Sequence, residues 1–192
     1  MLITLCLLHQ NRGSGYGSFG KMTTISLLFT KLLKPALTYL RKLGILVSCY
    51  IDDCIFIAAS KEELLCNVTY ALHLFYSLGL TIHMSKSVLI PLQVIEFLGV
   101  ILDSVNMTVT LPAGKITKIK NLGKSLLRKQ MTSILELASF IGQVVFASIA
   151  VPQAPLRYKY LEIIHNMALV RSRGDYKAEV CLDEHARNMI AW

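Results

Sequence analysis

Two adjacent carboxylates, Asp52 and Asp53, are the residues of this sequence best placed to do chemistry. Apolar, β-branched runs at 45–47 and 55–57 flank them, and this pattern predicts a tight hairpin with both aspartates at its tip. Like charges in an apolar hairpin repel each other, and Mg²⁺, which takes oxygen ligands, relieves that repulsion. The competing interpretation is a solvated turn, because Asp is a common turn residue. Strand alternation predicts Tyr50 and Asp52 on one face and Ile51 and Asp53 on the other.

The elements that must position this hairpin are helices and short strands. A leucine-rich helix is predicted at 27–43, in which Pro35 introduces a kink or starts the second half, and which ends at Gly44. The capping box from Ser60 to Glu63 predicts a second helix that ends near Gly79. Strands are predicted at 80–83, 88–90, 96–102 and 107–111, and helices at 115–129, 133–149, 156–170 and from 183 onward, with a polar loop at 171–182. The pattern indicates an α+β fold, an antiparallel sheet with helices on one face.

Composition favours a polyanionic partner. The net charge is +8, from 20 Lys and Arg against 12 Asp and Glu among 192 residues. The five cysteines form no CxxC pair and no metal-binding spacing, so reduced, mostly buried thiols in an intracellular protein are predicted. The five histidines are scattered and match no metal motif.

Two apolar segments raise the question of a membrane. Residues 1–8 are too short to span a bilayer and lack the flanks of a signal peptide. Residues 134–151 contain Glu136 and Gln143 and stop at Pro152, so a buried helix is predicted, with a transmembrane helix as the alternative. No membrane partner is therefore expected. Residues 1–18 are assigned no element and include a glycine-rich, loop-like stretch that is not a Walker A loop.

The tetrapeptide at 50–53 resembles the Tyr-x-Asp-Asp box of reverse transcriptases, and residues of about 19–192 follow that family in order. The resemblance is strongest to retrotransposons of the DIRS-type, tyrosine-recombinase class. Further matching segments lie at 29–35 (after the nucleotide pocket), 78–87 (a palm motif ending in Lys-Ser), 97–104 (the primer grip), 111–142 (the thumb) and 155–158 (the approach to an RNase H domain). Several ordered matches are more specific than one short box.

The resemblance implies two-metal nucleotidyl transfer onto a primer 3′-hydroxyl, with Mg²⁺ as cofactor. It implies an RNA template, a DNA primer and deoxynucleoside triphosphates as partners. It also implies a partial palm at 19–111, a helical thumb at 112–170 and a connector toward RNase H at 171–192. The implied roles are metal ligation and catalysis for Asp52 and Asp53, leaving-group protonation for Lys86, and nucleotide or primer binding for Tyr50, Gly20, Phe97, Leu98 and Gly99. An exposed lysine and plain sheet core are the competing interpretations for Lys86 and for residues 97–99.

A basic stretch follows the predicted strands. No acid occurs between Asp103 and Glu136, and on a thumb helix such a stretch could track phosphates. A solvated helix face is the alternative. The cations of this stretch are Lys115, Lys118, Lys120, Lys124, Arg128 and Lys129.

The sequence also departs from the family pattern. The family carries a third catalytic carboxylate upstream of the hairpin, but no Asp or Glu precedes Asp52 here. The basic fingers residues have no counterpart, and Ser26 stands where the nucleotide-pocket motif has proline. We therefore expect a degraded or truncated element copy that is inactive alone. The alternatives are a non-catalytic RNA–DNA duplex-binding module and a small membrane protein.

Overall fold

The computed structural model describes the backbone of residues 1–9 and 19–191, and the side-chain surroundings of 1–4 and 27–191. The chain divides into two compact units, Met1–Thr108 and Val109–Trp192. The first unit contains β1 (Leu2–His9), α1 (Phe19–Lys42), β2 (Leu46–Tyr50), β3 (Asp53–Ala58), α2 (Lys61–Ser77), β4 (Thr81–Ile82), β5 (Val88–Leu92), β6 (Val94–Phe97), β7 (Val100–Asp103) and the start of β8 (Thr108–Thr110). The second contains α3 (Ala113–Leu127), β9 (Met131–Ser133), α4 (Ile134–Ala147), α5 (Pro155–Arg171), β10 (Glu179–Cys181) and α6 (Glu184–Ala191).

The main sheet of the first unit has the order β2-β3-β1-β4, with β5 also pairing to β1. Its strand pairs are antiparallel, as the sequence predicts. Along the chain, a helix separates β1 from β2 and another separates β3 from β4. This succession, with β1 between β3 and β4, is the split βαβ arrangement.

The alternation of β3 explains why helices cover one face. Cys54, Phe56 and Ala58 are buried in a core shared with α1 and α2. Ile55 points to the opposite face and packs with Ile3 and Ile95. Successive strand residues face opposite sides, so one strand of mostly buried residues serves two cores. The predicted α+β class, with an antiparallel sheet and helices on one face, is confirmed.

Sequence signals account for the end of α1 and for the start of α2. α1 starts earlier than predicted and runs through Pro35, and Gly44 terminates it with φ +83°. At the start of α2 the Ser60 hydroxyl accepts the Glu63 N–H at 3.1 Å. The Glu63 carboxylate in turn accepts the Ala59 N–H at 3.1 Å. The predicted capping box is confirmed.

Two strand predictions are wrong. Leu2–His9, expected to be part of a loop-like start, is an eight-residue strand at the centre of the sheet. The strand predicted at 96–102 is two strands, because Leu98 and Gly99 form a turn with φ of +49° and +77°. Glycine tolerates the positive φ at no steric cost, and a two-residue connection of this kind matches strand twist.

The second unit is a helical cluster with a small two-stranded sheet. Its core includes Leu126, Leu137, Leu161 and Ile190, one from each helix. Ser133 caps α4 by accepting the Glu136 N–H at 3.2 Å, as its sequence predicts. The loop predicted at 171–182 is partly wrong, since β10 pairs with β9. Within the described ranges, no helix is both long and apolar enough to cross a membrane.

The prediction of reduced, mostly buried thiols is wrong in redox state at Cys49 and Cys54 and wrong in burial at Cys66 and Cys181. Cys49 and Cys54 form a disulfide between β2 and β3. Cys66 and Cys181 are free, but both are exposed. Burial and redox state at these positions follow from the sheet register and helix faces, which composition alone does not specify.

Candidate active site and nucleic-acid interface

The hairpin formed by β2 and β3 carries the carboxylate pair. Tyr50 and Asp53 are register partners, so Ile51 and Asp52 form a two-residue connection. Ile51 has φ +57°. A positive φ at a β-branched residue is an outlier, and such strain costs on the order of 1–3 kcal/mol. The predicted division of faces is wrong. Tyr50 and Asp53 are paired directly across the two strands, so they share one face of the hairpin.

The electrostatics of the turn are dominated by the repulsion between its two carboxylates. Asp52 and Asp53 are both half-buried. Burial raises the pKa of Asp53, and the neighbouring charge of Asp52 raises it further. Among the described side chains, neither carboxylate takes part in an ion pair. A cation at this turn would relieve both the desolvation and the repulsion.

A third oxygen ligand is not supplied by the neighbouring strand. β1 runs beside β3 with Leu7 in register with Asp53. The sequence of β1 is Leu-Ile-Thr-Leu-Cys-Leu-Leu-His, which contains no carboxylate. In the described part of the chain, no three His, Cys, Asp or Glu side chains form a group that could hold a metal ion. Asp52 and Asp53 therefore fit part of a magnesium site but not a complete one, and we derive no step through bound metal.

Lys86 follows β4, which pairs with β1 on the side away from β3 and the aspartates. It is exposed at the end of a short 3₁₀ turn, Met84–Lys86, that follows β4. β1 pairs with β3 at Leu7 and with β4 at Leu8, so two strand spacings, about 10 Å, separate the backbones of Asp53 and Ile82. No described ion pair joins Lys86 to either aspartate. Its role in leaving-group protonation stays a prediction.

The residues expected to bind nucleotide or primer differ in exposure. Tyr50 ends β2 with 60% of its surface exposed, which leaves its ring open to a ligand. Phe97 packs against the core of Ile3, Ile55 and Ile95, whereas Leu98 at the following turn is 41% exposed. Gly20 lies in the first turn of α1, and its surroundings fall outside the described side chains.

In the structure, two cations of the basic stretch contact other side chains, and the rest have no described ion pair. The Lys115 ammonium lies 3.6 Å from the centre of the Phe146 ring. Lys129 pairs with Glu136 at 2.7 Å, and this contact together with the Thr132 hydroxyl lowers the pKa of Glu136. The exposed remainder of the stretch, for which no described ion pair is found, is Lys118, Lys120, Lys124 and Arg128.

Sequence reasoning missed two features of the site, the disulfide and the central strand. The disulfide had a signal: Cys49 and Cys54 each lie one position outside the Tyr50–Asp53 pair, which is the spacing of a cross-strand pair around a two-residue turn. The strand β1 had a weaker signal, because a continuous apolar run can be a buried strand or a helix segment.

In a comparison with protein families, residues 22–102 match the family described as reverse transcriptase (RNA-dependent DNA polymerase). A comparison with curated proteins gives no significant match. Two solved structures of the foamy viral protease–reverse transcriptase are similar over 99% of this chain. The dRH form in complex with ds DNA has 16% identity and a TM-score of 0.68. The protein in complex with an RNA/DNA hybrid has 14% identity and a TM-score of 0.57.

The extent of these matches sets what they show. The family match covers the β2–β3 hairpin, all of α2, and α1 except for its first residues, 19–21. The chain spans 34% of one foamy viral chain and 27% of the other, about a third of their length or less. The fold is that of a reverse transcriptase fragment, and the DIRS-type assignment draws no support from either comparison.

Proposed function

We propose that this chain, with its reverse transcriptase domain at residues 22–102, is a polymerase fragment that binds a template–primer duplex but does not extend it alone. The observation that carries the proposal is the turn formed by Ile51 and Asp52, strained at Ile51, next to a central strand that has no carboxylate. Two-metal nucleotidyl transfer needs ligands that span both ions. Two adjacent aspartates at one turn do not meet that requirement.

The proposed roles follow from position and charge. Asp52 and Asp53 would hold Mg²⁺, which when bound stabilises the charge that develops on transferring phosphoryl oxygens. Tyr50, exposed beside them, would contact the primer end or the nucleotide base. Lys86 would place a positive charge, and a proton donor, near the triphosphate. Gly20 would line the nucleotide pocket, and residues 97–99 would grip the primer strand.

The finer organisation and origin belong to the same proposal. We assign 19–111, together with β1, to the palm, 112–170 to the thumb and 171–192 to a connector toward an RNase H domain. From the sequence alone we also propose a retrotransposon origin with DIRS-type affinity and an intracellular location. The partners are an RNA template and a DNA primer, with deoxynucleoside triphosphates as substrates of the complete enzyme.

A second candidate function is non-catalytic binding of an RNA–DNA duplex. The exposed cations Lys118, Lys124 and Arg128 favour it, because they lie on α3 or at its C-terminal cap, in a stretch without acids. Phosphate contacts by such residues give sequence-independent, salt-dependent affinity. The foamy viral relatives were captured with DNA and with an RNA/DNA hybrid, which is consistent with this class of partner.

A primer-extension assay with a matched binding assay tests the proposal. The purified chain is incubated with a labelled RNA–DNA template–primer, Mg²⁺ and nucleotides, and its affinity for the same duplex is measured by fluorescence anisotropy. We expect binding without extension. Magnesium-dependent extension that is lost in Asp52→Asn would show that the chain is a competent polymerase. Absence of duplex binding at low salt would refute both candidate functions.

A further inference from the structure

The disulfide between Cys49 and Cys54 lies directly below the turn that carries the aspartates. The two cysteines are register partners in β2 and β3, and the next pair outward is Tyr50 with Asp53. One residue pair therefore separates the covalent link from the two-residue connection. A cross-link so close to a turn restricts the conformations that the turn can adopt when it opens.

Two features of the turn favour its opening when the disulfide is absent. Ile51 is held at φ +57°, which a β-branched residue disfavours. β2 is the first strand in the sheet order, so β3 is its only hydrogen-bonded neighbour in the described sheet. A strained connection attached to an edge strand belongs to the less stable part of a fold. The disulfide ties that edge strand to β3.

The two cysteine residues differ in exposure. Cys54 is 0% exposed in the core shared with the helices, whereas Cys49 is only partly buried beside that core. Thiol–disulfide exchange depends on which sulfur an incoming thiol can reach. An external thiol therefore meets Cys49 first.

We propose that Cys49–Cys54 is a reversible thiol–disulfide site that controls the order of the Ile51–Asp52 turn. In the reducing direction, the thiolate of a low-molecular-weight thiol of the glutathione class attacks the Cys49 sulfur. The Cys49–Cys54 bond breaks, its electron pair leaves on Cys54, and that sulfur takes up a proton. A second thiolate attacks the mixed disulfide and releases Cys49, so two external thiols become one external disulfide while two cysteine thiols form. The inference does not depend on polymerase activity.

The experiment uses a Cys6→Ser, Cys66→Ser, Cys181→Ser chain, in which only Cys49 and Cys54 can pair. Cys6 is included because it is the register partner of Cys54 on the β1 side. The chain is equilibrated in glutathione buffers of graded potential, and the oxidised fraction is measured by alkylation and mass spectrometry. Amide hydrogen exchange of the peptide that spans residues 46–58 is followed in parallel, with the wild-type chain as the control for folding.

We expect one two-electron transition, a first glutathione adduct on Cys49, and slower exchange of the turn amides in the oxidised form. Closing a loop of this length lowers the opening equilibrium by about 40-fold in the chain-entropy treatment. Adding Cys49→Ser should abolish the redox dependence while α2 keeps its exchange protection. Equal turn exchange in both redox states, failure of the disulfide to form in oxidising buffer, or a first adduct on Cys54 would overturn the proposal.

Discussion

Replacing Lys118, Lys124 and Arg128 together by glutamine should make duplex binding much less dependent on salt. The three residues span about 15 Å along α3 and its C-terminal cap, at 1.5 Å per residue. All three are exposed, and within the described part of the chain none is held in an ion pair. Each is therefore able to neutralise one phosphate without first breaking a contact with a carboxylate.

The magnitude follows from counterion release. Each phosphate contact contributes about 0.9 to the slope of log affinity against log salt, so three contacts contribute about 2.7. Between 50 and 200 mM KCl the wild-type chain should lose about 40-fold more affinity than the triple variant. Fluorescence anisotropy of a labelled RNA–DNA duplex at three salt concentrations measures both slopes.

A matched control separates a binding face from overall charge. The variant Lys31→Gln, Lys34→Gln, Lys42→Gln removes the same three charges from exposed positions on α1. Its slope should stay close to that of the wild type. Equal loss of slope in both variants, or an unchanged slope in the α3 variant, would refute the assignment of α3 as the phosphate-binding face.

Three further predictions concern the sheet. Asp53→Asn should stabilise the chain at pH 7 by on the order of 0.5 kcal/mol, the scale of a like-charge pair, in urea unfolding. Burial and the charge of Asp52 raise the pKa of Asp53, so its ionisation destabilises the fold as pH rises through that pKa; the gain should vanish below about pH 4, and an equal gain there would contradict this cause. Thr4→Val should stabilise by about 1 kcal/mol, because the buried Thr4 hydroxyl has no partner among the described atoms, whereas Thr132→Val, which removes a bonded hydroxyl, should destabilise. Leu7→Asp adds a carboxylate in register with Asp53, so roughly 10 mM Mg²⁺ should raise its unfolding free energy by about 1.4 kcal/mol for a dissociation constant near 1 mM. The wild type, which has only two carboxylates at the turn, should gain less in the same urea unfolding assay.

Local signals in the sequence were sufficient for much of the fold. The capping residue Ser60 and the terminator Gly44 act through contacts within a few residues, so their effects can be predicted without knowing the rest of the chain. The Asp52–Asp53 hairpin belongs to the same class, because two strand-length runs and a turn define it. The α+β class then follows from the succession of such elements.

Features that depend on distant pairing could not be predicted in this way. Leu2–His9 becomes a central strand only because β3, β4 and β5 form its partners, and the run of apolar residues does not specify them. The same reason applies to the cations of the second unit. Only the fold shows that Lys115 lies over Phe146 and that Lys129 is paired, whereas Lys118 is exposed and has no described ion pair.

The central position of β1 has a consequence for how the first unit assembles. β1 precedes its partner β3 by about fifty residues, so its backbone groups stay unpaired until β3, and then β4 and β5, have been synthesised. Pairing across such separations slows folding and leaves an apolar strand open to other chains in the meantime. Removing the first nine residues would therefore leave the β2–β3 hairpin alone and deprive β4 and β5 of the strand with which they pair in the described sheet. β1 carries none of the proposed site residues, but its pairing with β3 holds the hairpin of the two aspartates in the sheet.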